Sequence, residues 1–108
     1  MPKMYKVTVD RRAKEQFFEH LRFLKRESFG AAHRLVSSYK KSIARISENP
    51  FQFPTADDLD VPNVPPNTYR KCLFESRYNA LFTVGESEIF VDAVIDSRME
   101  NMGALGED

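Results

Sequence analysis

The sequence predicts a small α+β domain with the element order β-α-α-β-β-β. Two patterns carry this prediction: a short alternating segment followed by two segments of helical period, and then three consecutive β-type runs. A chain of 108 residues has the size of a single domain, and its hydrophobic content of 42% is enough for one core. We assign residues 1–98 to this domain and residues 99–108 to a short C-terminal tail.

The first strand and the first helix are predicted from the opening residues. Residues 4–9 alternate, with Tyr5, Val7 and Val9 on one side. Asp10 then supplies a carboxylate that can accept hydrogen bonds from the free N–H groups of a following helix. The apolar stripe of that helix has spacings of 4, 4 and 3, and it consists of Ala13, Phe17, Leu21 and Leu24. We expect the helix to end near Glu27.

A second helix follows almost at once. Ser28 is a suitable N-cap, and Gly30 lies close to the junction. Its apolar stripe consists of Ala32, Leu35, Val36, Tyr39, Ile43 and Ile46. Pro50 cannot continue a helix and therefore ends it. Two amphipathic helices with so short a connection predict an antiparallel helical hairpin, whose stripes pack against the later strands.

Residues 51–67 are predicted to form a loop. Prolines at positions 54, 62, 65 and 66, with Pro50 directly before the loop, interrupt regular structure there. Phe51 and Phe53 alternate at its start, and we expect them to anchor the loop to the core.

Three strands are predicted after this loop, over residues 69–75, 78–84 and 88–95. Only Ser76 and Arg77 separate the first two, which is the length of a tight hairpin. Residues 85–87 form the next turn. The second and third of these strands carry apolar residues on both faces, so we expect them to be central in the sheet.

Charge and cysteine content narrow the class of protein. The net charge is zero, yet residues 1–50 hold 12 Lys and Arg against 5 Asp and Glu, and residues 51–108 hold 4 against 11. The basic half predicts an anionic partner, with solvated helix faces as the alternative.

No apolar run approaches the roughly 20 residues that span a bilayer, and no signal peptide is visible. The single Cys72 fits the cytoplasm, and we expect it to be a buried small hydrophobe.

The order of several short motifs carries a family resemblance. ISENPFQFP ends the second helix, and YRKCLF, RYNALFTV and FVDAVIDSR form the three later strands. With these motifs the chain resembles the RelE/ParE superfamily of bacterial toxins from type II toxin–antitoxin modules, often labelled plasmid stabilisation proteins, over roughly residues 4–98. The resemblance implies a helical hairpin packed on a curved, mainly antiparallel sheet.

The resemblance also implies site residues. RelE-like toxins cut messenger RNA on the ribosome with strand Lys and Arg residues and a C-terminal acid–base group, and here Arg70, Lys71 and Arg98 match the basic positions. Cys72 and Asn79 stand where basic residues are common, and residues 99–108 contain no His, Tyr or Lys. The other candidates for acid–base chemistry have structural alternatives. For Tyr69 and Tyr78 the alternative is core or cross-strand packing, and for His20 and His33 it is a surface position. For the basic side chains the alternative is pairing across the sheet with Glu75, Asp92 or Asp96, and this applies to Arg70, Lys71, Arg77 and Arg98.

These observations lead to three hypotheses. The first is a ParE-like toxin that inhibits DNA gyrase by binding, which the missing acid–base group favours. The second is a RelE-like ribosome-dependent mRNA endoribonuclease, and the third is a degenerate member that only binds its antitoxin. In each case we expect a cognate antitoxin as partner, with gyrase or the ribosome and its mRNA as the target of a toxin. We expect no cofactor, no metal and no membrane.

Overall fold

The computed structural model describes residues 4–56 and 65–97. Its elements are strand β1 (Lys6–Val9), helices α1 (Arg11–Glu27) and α2 (Phe29–Glu48), a 3₁₀ turn (Pro50–Gln52), and strands β2 (Arg70–Phe74), β3 (Tyr78–Val84) and β4 (Glu88–Asp96). This is the predicted α+β order, and the bounds of the predicted strands lie within two residues of the observed ones.

The four strands form one mostly antiparallel sheet in the order β1-β4-β3-β2. β1 runs parallel to β4, and the other two pairs are antiparallel. The two strands that are apolar on both faces, β3 and β4, are therefore the central ones, as predicted. A bulge interrupts their register: Phe82 faces Val91 while Leu81 faces Ala93, which leaves Asp92 as an extra residue.

The helical hairpin has almost no loop because one residue caps both helices. The Ser28 N–H donates to the carbonyl oxygen of Leu24 at the end of α1, and the Ser28 Oγ accepts from the N–H of Ala31 at the start of α2. At the other end of α1, an Asp10 carboxylate oxygen accepts from the N–H of Arg12 at 3.0 Å. Both predicted N-caps are therefore confirmed.

The main core lies between the helices and one face of the sheet. The predicted stripes supply its helical side, with Ala13, Phe17, Leu35 and Ile46 buried, and Phe17 stacks on Tyr39 with ring centroids 4.2 Å apart. The sheet supplies the other side of this core, through Cys72, Phe74, Tyr78, Ala80, Phe82, Ile89, Val91 and Val94.

A smaller cluster covers part of the opposite sheet face, which we call the outer face. It consists of Ala56, Leu81, Ala93 and Ile95, with Tyr69 packed against them. The segment 54–56 lies beside β2 because the Ala56 N–H donates to the Tyr69 carbonyl and the Lys71 N–H donates to that of Pro54. Of the two predicted loop anchors, Phe53 is buried, whereas Phe51 is exposed and its ring meets that of Tyr5 in a T-shaped contact.

The turn between β2 and β3 has an unusual composition. Glu75 and Ser76 both have positive φ, 51° and 55°, as the central residues of a type I′ turn do. That conformation usually takes Asn or Gly because other side chains are strained there. Contacts outside the turn support it: the Ser38 hydroxyl donates to the Glu75 carboxylate, and Arg77 pairs with Asp96.

Neither helix is long and apolar enough to cross a membrane.

Candidate functional cleft

Strand alternation places Arg70 and Lys71 on opposite faces of the sheet. Arg70 lies on the side of the helices, where its Nη1 donates to the Phe53 carbonyl oxygen at 2.6 Å and its guanidinium lies 5.2 Å from the centre of the Phe51 ring. These contacts hold the start of the loop against β2. The structure therefore does not bring Arg70 and Lys71 to one site.

Lys71 lies on the outer face and lines an open cleft of about 440 Å³. The cleft brings together side chains from α2, from the segment after it, from β2 and β3, and from the residue that follows β4. Its lining residues are Arg45, Phe53, Pro54, Lys71, Leu73, Ser76, Asn79 and Ser97. Two of the lining side chains are cationic, and the others are neutral.

The predicted site residue Arg98 lies outside the described residues, but its neighbour Ser97 is at the cleft. The Ser97 N–H donates to the carbonyl oxygen of Arg77 at 2.6 Å, which fixes the chain where β4 ends beside the β2–β3 turn.

Asn79 is the buried polar group of this cleft. Its side chain is 5% exposed, and its Oδ1 accepts no hydrogen bond from residues 4–56 or 65–97. A buried carbonyl oxygen without a donor costs about 1–3 kcal/mol. Because this oxygen has almost no accessible surface, a donor from a ligand could reach it only if the neighbouring side chains moved.

Arg45 is the cleft residue that the sequence did not single out. In the sequence it lies outside the apolar stripe of α2, where a solvated charge is expected. In the structure its guanidinium lies over the Phe53 ring, 5.2 Å from the ring centroid, and borders the cleft. The one local sign that Arg45 lies near the core was its position directly before Ile46, which is buried.

The two tyrosines considered for acid–base chemistry both lie away from the cleft lining. The Tyr69 hydroxyl donates to Asp92 Oδ2 at 2.7 Å. Burial, followed by the hydrogen bond and charge of Asp92, raises the pKa of Tyr69 to about 12. Tyr78 is buried on the side of the helices. Both residues therefore take the packing roles that we weighed as alternatives.

The histidines divide between two environments. His33 is exposed, as predicted. The surface prediction for His20 is wrong, because its ring is half-buried against Tyr78 and its Nε2 lies 2.9 Å from the carbonyl oxygen of Val94. Position 20 borders the apolar stripe of α1, and the packing of α1 on β4 covers it.

Arg77 and Cys72, in the β2–β3 hairpin, both have structural roles. Arg77 Nε lies 2.9 Å from Asp96 Oδ2, which confirms Asp96 as one of the anticipated partners, and the guanidinium also lies 5.1 Å from the centre of the Tyr78 ring. Cys72 is fully buried, and burial raises the pKa of its thiol, as expected of a core residue. No group of three metal-ligating side chains occurs among the described residues.

The chain matches no protein-family model and no curated protein. The function must therefore be inferred from the fold, the cleft and the motifs of the sequence.

Proposed function

We propose that the chain is the toxin of a type II toxin–antitoxin module, a RelE/ParE-type protein that inhibits DNA gyrase by binding and without catalysis of its own. The motif order in the sequence and the element order β-α-α-β-β-β both support this proposal. The position of the cleft supports it as well, since Lys71, Asn79 and the chain next to Arg98 come together there.

The observation that carries the non-catalytic mechanism is the chemistry of the cleft lining. Among the described residues that line it, Arg45 and Lys71 are cationic and none is a His, Tyr, Cys, Asp or Glu. Cleavage of RNA through its 2′-hydroxyl needs a group that removes a proton and one that supplies a proton to the leaving oxygen, and Lys71 could serve as only one of them. Cations and an amide can bind an anionic or polar surface without such groups.

A RelE-like mRNA endoribonuclease is the second candidate. Arg45 and Lys71 on one cleft could neutralise a phosphate, and Arg98 follows directly after the cleft residue Ser97. The third candidate is a degenerate member that retains only antitoxin binding. All three place the protein in the cytoplasm with a cognate antitoxin, and the basic first half favours an acidic antitoxin segment.

Induced expression in a bacterial host separates the three candidates. We expect growth arrest with failure of chromosome replication, seen as altered DNA content, while transcripts stay intact. Co-expression of the small adjacent reading frame should restore growth and yield a complex that co-purifies. Transcript cleavage at ribosomes would favour the endoribonuclease instead, and normal growth with a stable complex would favour the degenerate member.

A further inference from the structure

The turn between β2 and β3 has a conformation that its own residues disfavour. Glu75 and Ser76 have φ values of 51° and 55°, in the left-handed region where a residue with a Cβ atom is strained. Asn and Gly are the usual residues of such a turn, and neither occurs at these two positions. Contacts with the rest of the chain therefore have to offset the strain.

One support of the turn is largely buried. The Arg77 guanidinium pairs with the carboxylate of Asp96, whose side chain is 4% exposed. The carbonyl oxygen of Arg77 also accepts from the Ser97 N–H at 2.6 Å. Breaking an ion pair in such a site is costly, because it leaves a poorly solvated charge. These contacts join the turn firmly to the end of β4.

The other support is exposed, and it acts on a strained residue directly. The Ser38 hydroxyl of α2 donates to the Glu75 carboxylate, and both groups border an open groove of about 390 Å³ that α2, β2 and the turn line together. Water can replace a hydrogen bond at this position, so its net contribution is smaller than that of the Arg77–Asp96 pair. The Ser38–Glu75 bond is thus the weaker support and the one that opens first.

Relaxation of the turn changes the cleft. A hairpin turn whose two central residues have negative φ twists in the opposite sense and splays its strands. Ser76 lines the outer cleft of about 440 Å³, and so does Ser97, which is bonded to Arg77. When Glu75 and Ser76 leave the left-handed region, the end of the hairpin moves, and the part of the cleft lining formed by these two serines moves with it.

We infer that the Ser38–Glu75 hydrogen bond is a latch that keeps the β2–β3 turn in its strained form and thereby holds one end of the cleft in place. The cleft accordingly has two forms. In the latched form Ser38 holds Glu75, and in the open form the turn has relaxed and Ser97 is released from Arg77. The inference concerns the cleft itself, so it goes beyond the choice among the three candidate functions and applies to each of them.

Amide hydrogen exchange of the full chain, followed by NMR at single residues, tests the latch. The Ser97 N–H reports opening of the turn, since its acceptor is the carbonyl oxygen of Arg77. The Asp10 N–H is the reference, because its bond of 2.8 Å to the Val91 carbonyl oxygen lies between β1 and β4, away from the turn.

The first comparison removes the hydroxyl of the latch. Ser38→Ala should speed exchange at Ser97 relative to Asp10 by about fivefold, the effect of one lost hydrogen bond on an opening equilibrium. Ser37→Ala is the matched control, because it makes the same change one position along α2, on a different face, with the same effect on helix propensity. It should leave the relative rate unchanged.

A matched pair at Glu75 separates the latch from the strain. Glu75→Ala and Glu75→Gly both remove the carboxylate, but only glycine adopts a positive φ without strain. Glu75→Ala should therefore speed exchange at Ser97 about as much as Ser38→Ala does, whereas Glu75→Gly should leave it close to the wild-type rate. Ser38→Ala added to Glu75→Gly should have no further effect.

Three results would overturn the inference. They are equal relative rates in Ser38→Ala and Ser37→Ala, equal rates in Glu75→Ala and Glu75→Gly, and faster exchange at Ser97 and Asp10 together, which would mean that the domain opens as a whole. The variants at Ser38 and at Glu75 are independent, so failure of one set to fold leaves the other decisive. The exchange test needs neither gyrase nor antitoxin, and its result is therefore separate from the fate of the proposed function.

Discussion

The Nε atom of Arg77 lies 2.9 Å from Oδ2 of Asp96, and this contact joins the β2–β3 turn to the last residue of β4. The next residue, Ser97, is bound at the same place through the carbonyl oxygen of Arg77. The end of the cleft that leads to Arg98 is therefore held by one ion pair and one backbone hydrogen bond.

We predict that Arg77→Ala destabilises the fold. The Asp96 side chain is 4% exposed and that of Arg77 is 24% exposed, and removing one partner of a buried pair leaves a charge in a poorly solvated site. The expected loss in the free energy of unfolding is about 3 kcal/mol, measured by urea denaturation. Arg11→Ala is the control, because its pair with Glu15 is exposed and should change stability by less than about 0.5 kcal/mol. Equal effects of the two variants would show that the Arg77 pair is not a structural contact.

A second prediction concerns the ionisation of Tyr69. Its pKa is about 12 in the folded state against an ordinary value of 10, so the folded chain holds this proton more tightly than the unfolded chain does. The resulting stabilisation is complete below pH 10 and is lost as the pH rises from 10 to 12. In an alkaline absorbance titration, Tyr69→Phe should remove a late tyrosinate phase, and Asp92→Asn should move that phase part of the way toward 10. If the wild type and Tyr69→Phe differ only by a phase near 10, the bond to Asp92 does not persist in solution.

The Cys72 thiol should be unreactive in the folded protein. It is fully buried on the side of the helices, and burial raises its pKa, so both access and the thiolate fraction are low. We expect labelling by a disulfide reagent at pH 8 to be slower than in urea by on the order of a hundredfold. Similar rates in the two states would mean that β2 does not pack beneath α2 as described.

The isolated chain should not cleave naked RNA. Apart from Lys71, the described cleft lining has no side chain suited to acid–base chemistry, and Tyr69 and Tyr78 both lie elsewhere. Incubation of a labelled RNA with the purified protein should leave the RNA intact. Cleavage that disappears in a folded Arg98→Ala variant would contradict the expectation and would restore the endoribonuclease as the first candidate.

The fold could largely be predicted because its elements depend on neighbouring residues. The caps at Asp10 and Ser28 each need only two or three adjacent positions, and the two-sided apolar pattern identified the central strands. The turn was predicted to consist of Ser76 and Arg77, whereas three residues, Glu75, Ser76 and Arg77, separate the observed strands β2 and β3. Two residues that are distant in sequence support the turn: Ser38 bonds the strained Glu75, and Asp96 pairs with Arg77.

The site was predicted only in part because it depends on which faces of the helices and of the sheet pack against each other. Lys71 lines the cleft, whereas Arg70 lies on the helix side, and alternation along the strand was the signal that separates them. The position of Arg45 at the cleft and the half-buried position of His20 follow from how α2 and α1 pack on the sheet. A single sequence without tertiary contacts does not contain that information.

Supercoiling by purified DNA gyrase tests the proposed mechanism most directly. We expect the wild-type chain to inhibit supercoiling, and Arg98→Ala and Lys71→Ala to inhibit it much less while their melting temperatures stay close to that of the wild type. Lys25→Gln, which lies away from the cleft, should inhibit like the wild type. Supercoiling that proceeds unchanged at a large excess of folded wild-type protein would contradict the proposal that this chain acts by binding gyrase.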